Sequence, residues 1–176
     1  MASKTLRGNV TIWAVRPEAF PLSQWTTALS AATWATSLAS GLITDISCAV
    51  EDSYKLNLTG SSVDSTQSVC DIAKVDTPLF FEYDANFSLF RNKPGTTDMP
   101  IYDVALSLFD AVDMPYYLVK RVDKAQGSTV AAGDILSAFG VTTDYGIDNS
   151  ADKTMLLYDA TFKPTGGVNT NFTVLA

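Results

Sequence analysis

The chain has 176 residues, enough for one domain, and a fold of this size buries on the order of 70% of the surface of its unfolded chain. Its 19 acidic and 12 basic residues give a formal net charge of -7, which disfavours a protein that grips DNA, because such binding relies on Lys and Arg. The sequence has no histidine, which removes the commonest general base, the serine and cysteine triads and most zinc chemistry.

Two strands that flank an ambiguous segment are the first predicted elements. Alternation of apolar and polar residues predicts a strand over 8–15 and a second over 41–51, with Asp45 and Glu51 on its polar side. Between them, 21–40 combines helical spacing with many threonines, so a helix and an irregular excursion stay equally open.

The sequence predicts neither a membrane span nor a metal or cofactor site. Residues 27–43 are too short and too rich in Ser and Thr for a membrane span, and no apolar run follows the N-terminal cations, so we expect a soluble protein made in a cytoplasm. Cys48 and Cys70 are interpreted as buried small hydrophobes, with a disulfide as the less favoured alternative. No metal site and no cofactor are predicted.

The longest predicted strand covers 79–91. One parity is apolar, and the other carries Glu82, Asp84, Asn86 and Ser88. At ~3.3 Å per residue it would reach roughly 43 Å, about twice an ordinary strand. The earlier segment 54–60 either extends the second strand or starts a hairpin. The connection 61–78 is rich in Ser, Thr and Asp, and its length indicates a functional or partner-bound loop.

A change of period from two to 3.6 predicts one amphipathic helix over 101–113. Strands are then expected at 116–122, within 131–144, at 155–162, and again after Gly166-Gly167. This order predicts an antiparallel β-sandwich or barrel with one flanking α-helix, as a single domain over 1–176.

Acidic residues are the remaining candidates for chemistry. The helix places Asp103, Asp110 and Asp113 near its polar face, where a solvated surface is the favoured interpretation. A second set, Asp144, Asp148 and Asp152, is spaced by four, but the spacing departs from a calcium-binding loop and favours a polar turn. No pair of carboxylates converges as in a hydrolase, so we predict no enzyme.

The acidic face of the long strand has two interpretations. From the pattern alone, a solvated outer face of a sandwich is favoured. The alternative starts from length, because a strand of roughly 40 Å overhangs a domain whose radius of gyration is about 16 Å, and neighbouring chains stabilise such strands.

Several weak motifs occur in a fixed order along residues 42–174. They are ISCAVEDSYKLNLTGSSVDSTQSVCDIAKVDTPLFFEYDANFSLFRNKP, IYDVALSLFD, YYLVKRVD and TFKPTGGVNTNFTV. Together they resemble the major tail tube proteins of long-tailed (siphovirus-type) bacteriophages, especially from phages of actinobacteria. Asn86-Phe87 and the Trp- and Thr-rich segment 21–40 depart from the family pattern.

The resemblance implies hexameric rings that stack into a hollow tail tube whose acidic lumen conducts DNA during ejection. On this view Glu82, Asp84, Asn86 and Ser88 face the lumen, with Asp45 as a further candidate. The loop 61–78 and both termini would contact the next ring. The loop residues assigned to this contact are Ser62, Asp64, Gln67 and Asp71.

The implied partners are ring neighbours, stacked rings, and tape-measure and tail-terminator proteins, with transient, non-sequence-specific passage of DNA and no membrane. The implied location is the virion tail, after assembly in the host bacterial cytoplasm. Another virion ring or stud protein, such as a tail terminator, neck or head decoration protein, is an alternative. A β-sandwich binding module would instead use exposed Trp13, Trp25 and Trp34.

Overall fold

The computed structural model describes residues 9–20, 29–64, 77–93, 95–96, 99–122, 124–149 and 156–176. Within these ranges the elements, in chain order, are β1 (Val10–Val15), α1 (Ala31–Ala39), β2 (Ile43–Asp45), β3 (Lys55–Asp64), β4 (Thr77–Arg91), α2 (Pro100–Phe109), β5 (Pro115–Val122), β6 (Ile135–Thr143), β7 (Ile147–Asp148) and β8 (Leu156–Thr173). The described chain is therefore mainly β, as predicted.

The described strands pair antiparallel in the order β2–β1–β5–β6–β8–β4–β3, with β7 beside β8. The 18-residue β8 is shared, because residues 156–161 pair with β4 and residues 162–173 pair with β6. We define sheet A as β2, β1, β5, β6 and residues 162–173, and sheet B as β3, β4, β7 and residues 156–161. The predicted antiparallel β fold is confirmed.

One apolar core fills the space between the two sheets, and α2 closes it with Ala105, Leu108 and Phe109. The core also contains Ile12, Leu118, Phe139 and Val141 of sheet A and Leu56, Ala85, Phe87 and Leu89 of sheet B. Tyr83 crosses this space, since its hydroxyl donates to the Gly140 carbonyl and accepts from the Thr165 amide at 3.1 Å. Each large side chain buried here contributes roughly 1.5–3 kcal/mol to folding.

A second apolar core lies on the other face of sheet A, under α1. Ser30 caps this helix, because its Oγ accepts from the Thr33 amide at 3.2 Å. From α1, Trp34 packs edge-to-face on Trp13 with ring centroids 5.2 Å apart and stacks on Phe20 at 5.9 Å. Sheet A is therefore covered on both faces, and the layers run α1, sheet A, sheet B.

The second predicted strand is wrong beyond Asp45. The Asp45 Oδ1 accepts from both the amide (2.9 Å) and the hydroxyl (2.5 Å) of Ser47, so the side chain turns the backbone out of the strand. The following residues cross to sheet B, where the Phe90 amide donates to the Ala49 carbonyl at 2.8 Å. The ambiguous segment 21–40 contains the short helix α1 from Ala31, and residues 21–28 lie outside the described part.

Two further boundaries differ from prediction. Helix α2 ends at Phe109 rather than at 113, because the Asp113 amide bonds to the Thr143 carbonyl at 2.9 Å and Asp113 adopts a left-handed φ of 61°. The two last predicted strands are one, since β8 continues through Gly166, whose φ of 84° fits a bulge against β6.

A buried arginine, Arg121, holds the connection between β5 and β6 in place. The Arg121 side chain is 1% exposed and pairs with Asp134 at 3.1 Å, while it also donates to the Ser128 carbonyl at 2.8 Å and lies over the Trp13 ring. Burial alone would raise the pKa of Asp134, but hydrogen bonds from Lys124, the Ala131 amide and Arg121 lower it overall.

Neither described helix is long and apolar enough to cross a membrane.

Candidate functional site

The predicted acidic strand exists as β4, a 15-residue strand that spans about 50 Å at ~3.3 Å per residue. Its alternation is as predicted over the residues whose burial is described. The buried side chains are Tyr83, Ala85, Phe87 and Leu89. Glu82, Asp84 and Asn86 are exposed, and Ser88 is half-buried. One side of β4 therefore belongs to the core and the other faces outward.

Neighbouring strands widen this outward surface, because residues paired directly across two strands point to the same side. On β3, Lys55 pairs with Asn86 and Asn57 pairs with Asp84. On β8, two further polar residues, Asp159 and Thr161, pair with Ser88 and Asn86. We call this surface the acidic face, and it consists of Lys55, Asn57, Glu82, Asp84, Asn86, Ser88, Asp159 and Thr161.

An open groove of about 420 Å³ lies at one end of the acidic face. Its lining includes Asp159, whose two carboxylate oxygens accept from the Ser88 hydroxyl at 2.5 Å and from the Asn149 side chain at 2.8 Å. Glu51 lies beside it and accepts from the Ser53 hydroxyl at 3.0 Å. Within the described residues, no three potential ligand side chains cluster to hold a metal ion. The groove is a polar, negatively charged surface rather than a catalytic constellation.

Sheet B is open at its borders. In the described part of the chain β3 is the last strand in the order, and the opposite border has only the two-residue β7. Along β3, Leu58, Gly60 and Ser61 are exposed, so the β3–β4 hairpin extends beyond the core. Long strands with unpaired backbone groups are templates for pairing with another chain. The acidic face thus lies on a sheet that a neighbouring chain can extend.

A comparison with family models matches residues 2–176 to the family described as phage tail tube protein. The chain belongs to the phage tail tube protein family. This membership makes it a structural protein of the virion tail that assembles with itself into a tube. A search of curated proteins found no match.

Asp45 does not share the acidic face of this tail tube protein. It pairs with Trp13, whose side chain lies in the core under α1, so the two residues point to the side of sheet A that is turned away from sheet B. The structure brings the four β4 candidates together and places Asp45 apart from them. We therefore leave Asp45 out of the proposal below.

The predicted inter-subunit loop is shorter than 61–78. Of its residues, Ser62 and Asp64 belong to β3, where they pair with Phe80 and Thr77 of β4. The connection between these strands is 65–76, so Gln67 and Asp71 lie outside the described residues. The error has a physical source, since Ser, Thr and Gly are turn residues by propensity but also occupy an exposed edge strand.

The other acidic candidates are engaged individually rather than as a cluster. Asp144 pairs with Lys163 at 3.1 Å, and its pKa is lowered by the Tyr145 amide and by Lys163. On β7, Asp148 pairs with Arg91, and Asp152 lies outside the described residues. Asp144 and Asp148 are thus engaged in two separate ion pairs.

Two predictions about apolar and aromatic residues need correction. Cys48 is exposed rather than buried, because it lies in the turn that crosses between the sheets, where its Sγ accepts from the Gln126 amide nitrogen at 2.8 Å. The binding-module alternative required exposed tryptophans, but Trp13 and Trp34 are buried. Cys70 and Trp25 lie outside the described residues.

Sequence reasoning missed Asp159 and Lys55 as members of the acidic face. A signal for Asp159 was present, because Asp159 and Thr161 alternate with Ala160 and Phe162. Its position beside Ser88 depends on strand order, which the alternation of one strand does not contain. Lys55 is placed in the same way by its pairing with Asn86.

Proposed function

We propose that this tail tube protein forms hexameric rings that stack into the tube of a long-tailed (siphovirus-type) phage of an actinobacterial host, with the acidic face lining the DNA channel. The observation that carries the proposal is the position of that face. Its carboxylates lie on the exposed side of a sheet whose two borders are open to further pairing.

Electrostatics supports a channel wall rather than a binding site. Duplex DNA carries one negative charge per ~1.7 Å of its axis, and proteins hold it by neutralising phosphates with Lys and Arg. The acidic face presents Glu82, Asp84 and Asp159 against Lys55 alone. Screening limits such repulsion to about 8 Å at physiological salt, so the side chains on the wall itself decide whether DNA adheres.

The open borders of sheet B support ring formation. Edge-to-edge pairing of sheet B with the same sheet of neighbouring copies would close a barrel around the lumen and remove every exposed edge. Interior-facing polar residues and outward-packed apolar residues are the arrangement of a water-filled barrel. In this arrangement the α1 layer lies on the outside of the tube.

Further assembly would use the remaining parts of one domain that spans 1–176. We propose that the connection 65–76 and the terminal arms reach the next ring, that a tape-measure protein occupies the channel before DNA, and that a terminator protein ends the tube. These steps take place in the cytoplasm of the bacterial host and involve no catalysis by this chain.

Electron microscopy of the purified protein at high concentration tests the assembly. Stacked rings or hollow tubes with a stain-filled channel are expected. A protein that stays dispersed alone and also when supplied with a tail-tip initiator complex would contradict the proposal.

Charge reversal on the wall tests the channel. In virions that carry Glu82→Lys with Asp84→Lys, we expect tails of normal length but a loss of triggered DNA release of roughly a hundredfold, since the wall then attracts phosphates. The matched control is Glu18→Lys with Asp110→Lys, which adds the same charge at exposed positions away from the acidic face. Equal DNA release from both double variants would place Glu82 and Asp84 outside the channel.

A further inference from the structure

Large apolar side chains are exposed at one end of sheet A, next to β3. Val10, Val122 and Ile135 form a row across β1, β5 and β6, because Val10 pairs with Val122 and the β5–β6 register places Val122 beside Ile135. Ile135 is 59% exposed. On β3, Leu58 is also exposed and lies two residues from Leu56, whose carbonyl accepts from Lys120 at 2.7 Å. Val10 is half-buried, so we call the three exposed residues, Leu58, Val122 and Ile135, the β3-side patch.

The sheet A residues of the β3-side patch lie on the same side of sheet A as the core, beyond the core residues. Ile12 belongs to the core between the sheets and pairs with Lys120, and Val10 and Val122 lie two residues further along on the same side. Val10 is half-buried and packs against this core, whereas Val122 is 40% exposed beyond it. Apolar side chains in this position are costly in water and favourable against a partner.

A second apolar patch lies at the opposite end, next to β7. It consists of Met114, Tyr145 and Ile147, of which Tyr145 is 76% and Ile147 66% exposed. Because Ile147 pairs with Asp159, it lies at the border of the acidic face. The Thr143 amide donates to the Met114 carbonyl at 2.9 Å, which holds this residue beside the loop. Gly146 packs against the Tyr158 ring, where an added Cβ would lie 2.0 Å from ring atoms. We call these three residues the β7-side patch.

The two patches are arranged for head-to-tail contact. β6 runs from Ile135 to Thr143, so about 26 Å separate the two ends of sheet A at ~3.3 Å per residue. The patches also border the two open edges of sheet B, β3 and β7. Because they are different surfaces of one chain, a contact between them is heterologous, and repeated rotation closes such a contact into a ring.

We infer that the β3-side patch of one copy packs against the β7-side patch of the next copy, as sheet B continues across their boundary. The inference rests on the proposed function, which supplies a second copy as the partner. Tail tube family membership and the position of both patches at the borders of the same sheet favour this partner. In this contact, the apolar patch on each copy is removed from water.

Single charged substitutions test the contact. Ile135→Asp and Ile147→Asp place a carboxylate in one patch each, and Leu38→Asp is the matched control, at a 44% exposed leucine of α1. By analytical ultracentrifugation we expect folded monomers from both patch variants and assemblies from the control and the unsubstituted protein. An equimolar mixture of the patch variants should form dimers, because each supplies the patch that the other lacks, and neither variant should form dimers alone.

The outcomes separate this inference from the proposed function. Assembly of Ile135→Asp and Ile147→Asp equal to that of Leu38→Asp would overturn the contact and leave the tube standing. Folded monomers that stay apart in the mixture would overturn the pairing of these two patches. Lack of assembly by the unsubstituted protein, both alone and with a tail-tip initiator complex, would overturn both. Circular dichroism checks the fold of each variant. If Ile135→Asp does not fold, Ile135→Ser replaces it; if Ile147→Asp does not fold, Tyr145→Ser replaces it.

Discussion

Sheet A and sheet B share β8 but differ in what covers them. Sheet A has a core on each face, and residues 11–15 of β1 are all buried. Sheet B has one core face and one open face, so β4 alternates between buried and exposed side chains. The difference indicates a division of labour, in which sheet A holds the fold together and sheet B presents the surface that we assign to the channel.

The largest effect on stability is expected from the α1 side of sheet A. Trp34→Ala removes a fully buried side chain that contacts Trp13 and Phe20, and should lower the free energy of unfolding by about 3–5 kcal/mol. Leu38→Ala, on the same helix but exposed, is the control and should change it by less than about 0.5 kcal/mol. Chemical denaturation measures both. A small effect of Trp34→Ala would mean that α1 does not contribute a core.

The buried Asp134 should make sheet A sensitive to acid. Its pKa is lowered in the folded protein, so its contribution is present above the unfolded value of about 3.9 and is lost as the pH falls through the folded value. Asp134→Asn should destabilise the protein by about 3 kcal/mol at pH 7, because Arg121 stays buried without its ion pair. Thermal unfolding from pH 7 to pH 2 checks this.

The variant should also lose less stability than the unsubstituted protein over the acid range. Asp144→Asn is the comparison, because the pKa of Asp144 is also lowered but its carboxylate is more accessible and pairs with Lys163 at the surface, so its effect on the acid dependence should be smaller. An unchanged acid dependence in Asp134→Asn would remove Asp134 as its source.

The bulge of β8 against β6, within sheet A, should tolerate little added volume. A Cβ on Gly140 would lie 2.8 Å from the Thr165 hydroxyl and 2.9 Å from the Gly167 carbonyl, so Gly140→Ala should cost about 1–3 kcal/mol. Gly60 on the exposed hairpin has no atom within 4 Å of such a Cβ, so Gly60→Ala should be nearly neutral. Equal melting temperatures for the two variants would show that β6 and β8 are not closely packed at Gly140.

The smallest effect on stability is expected on the acidic face. Glu82→Gln and Asp84→Asn should each change the free energy of unfolding of the monomer by less than about 0.5 kcal/mol, because both side chains are exposed. A loss above 2 kcal/mol in urea titrations would mean that these carboxylates hold the fold together, contrary to their assigned role.

The same contrast explains which parts of the molecule could be predicted from the sequence. Alternation located β4 and its exposed carboxylates because sheet B has one open face. In β1 it failed to show that Thr11 and Trp13 are buried, since both faces of sheet A are covered and the pattern no longer separates core from solvent. The sequence pattern also does not show the hydrogen bonds that end secondary-structure elements. Examples are the bond from the Ser47 hydroxyl to the Asp45 carboxylate and the bond from the Asp113 amide to the Thr143 carbonyl.

The order of the strands in the sheets was the main feature that the sequence did not predict. The sequence motifs implied a tail tube fold, but Asp45 was grouped with the acidic strand because both carry carboxylates on a polar side, and only the pairing of β2 with β1 separates them. Conversely, Asp159 and Lys55 joined the acidic face through β8 and β3. Which carboxylates share a face is a long-range property that local periodicity does not encode.

The most direct test of the channel is the radial position of one residue in the assembled tube. Asp84→Cys, in a chain whose two cysteines are replaced by serine, would carry a small gold cluster, with Leu38→Cys as the reference on the opposite layer. Cryo-electron microscopy should place the Asp84 label on the inner wall and the Leu38 label on the outer surface. Density for the Asp84 label on the outer surface would contradict the assignment of the acidic face to the channel.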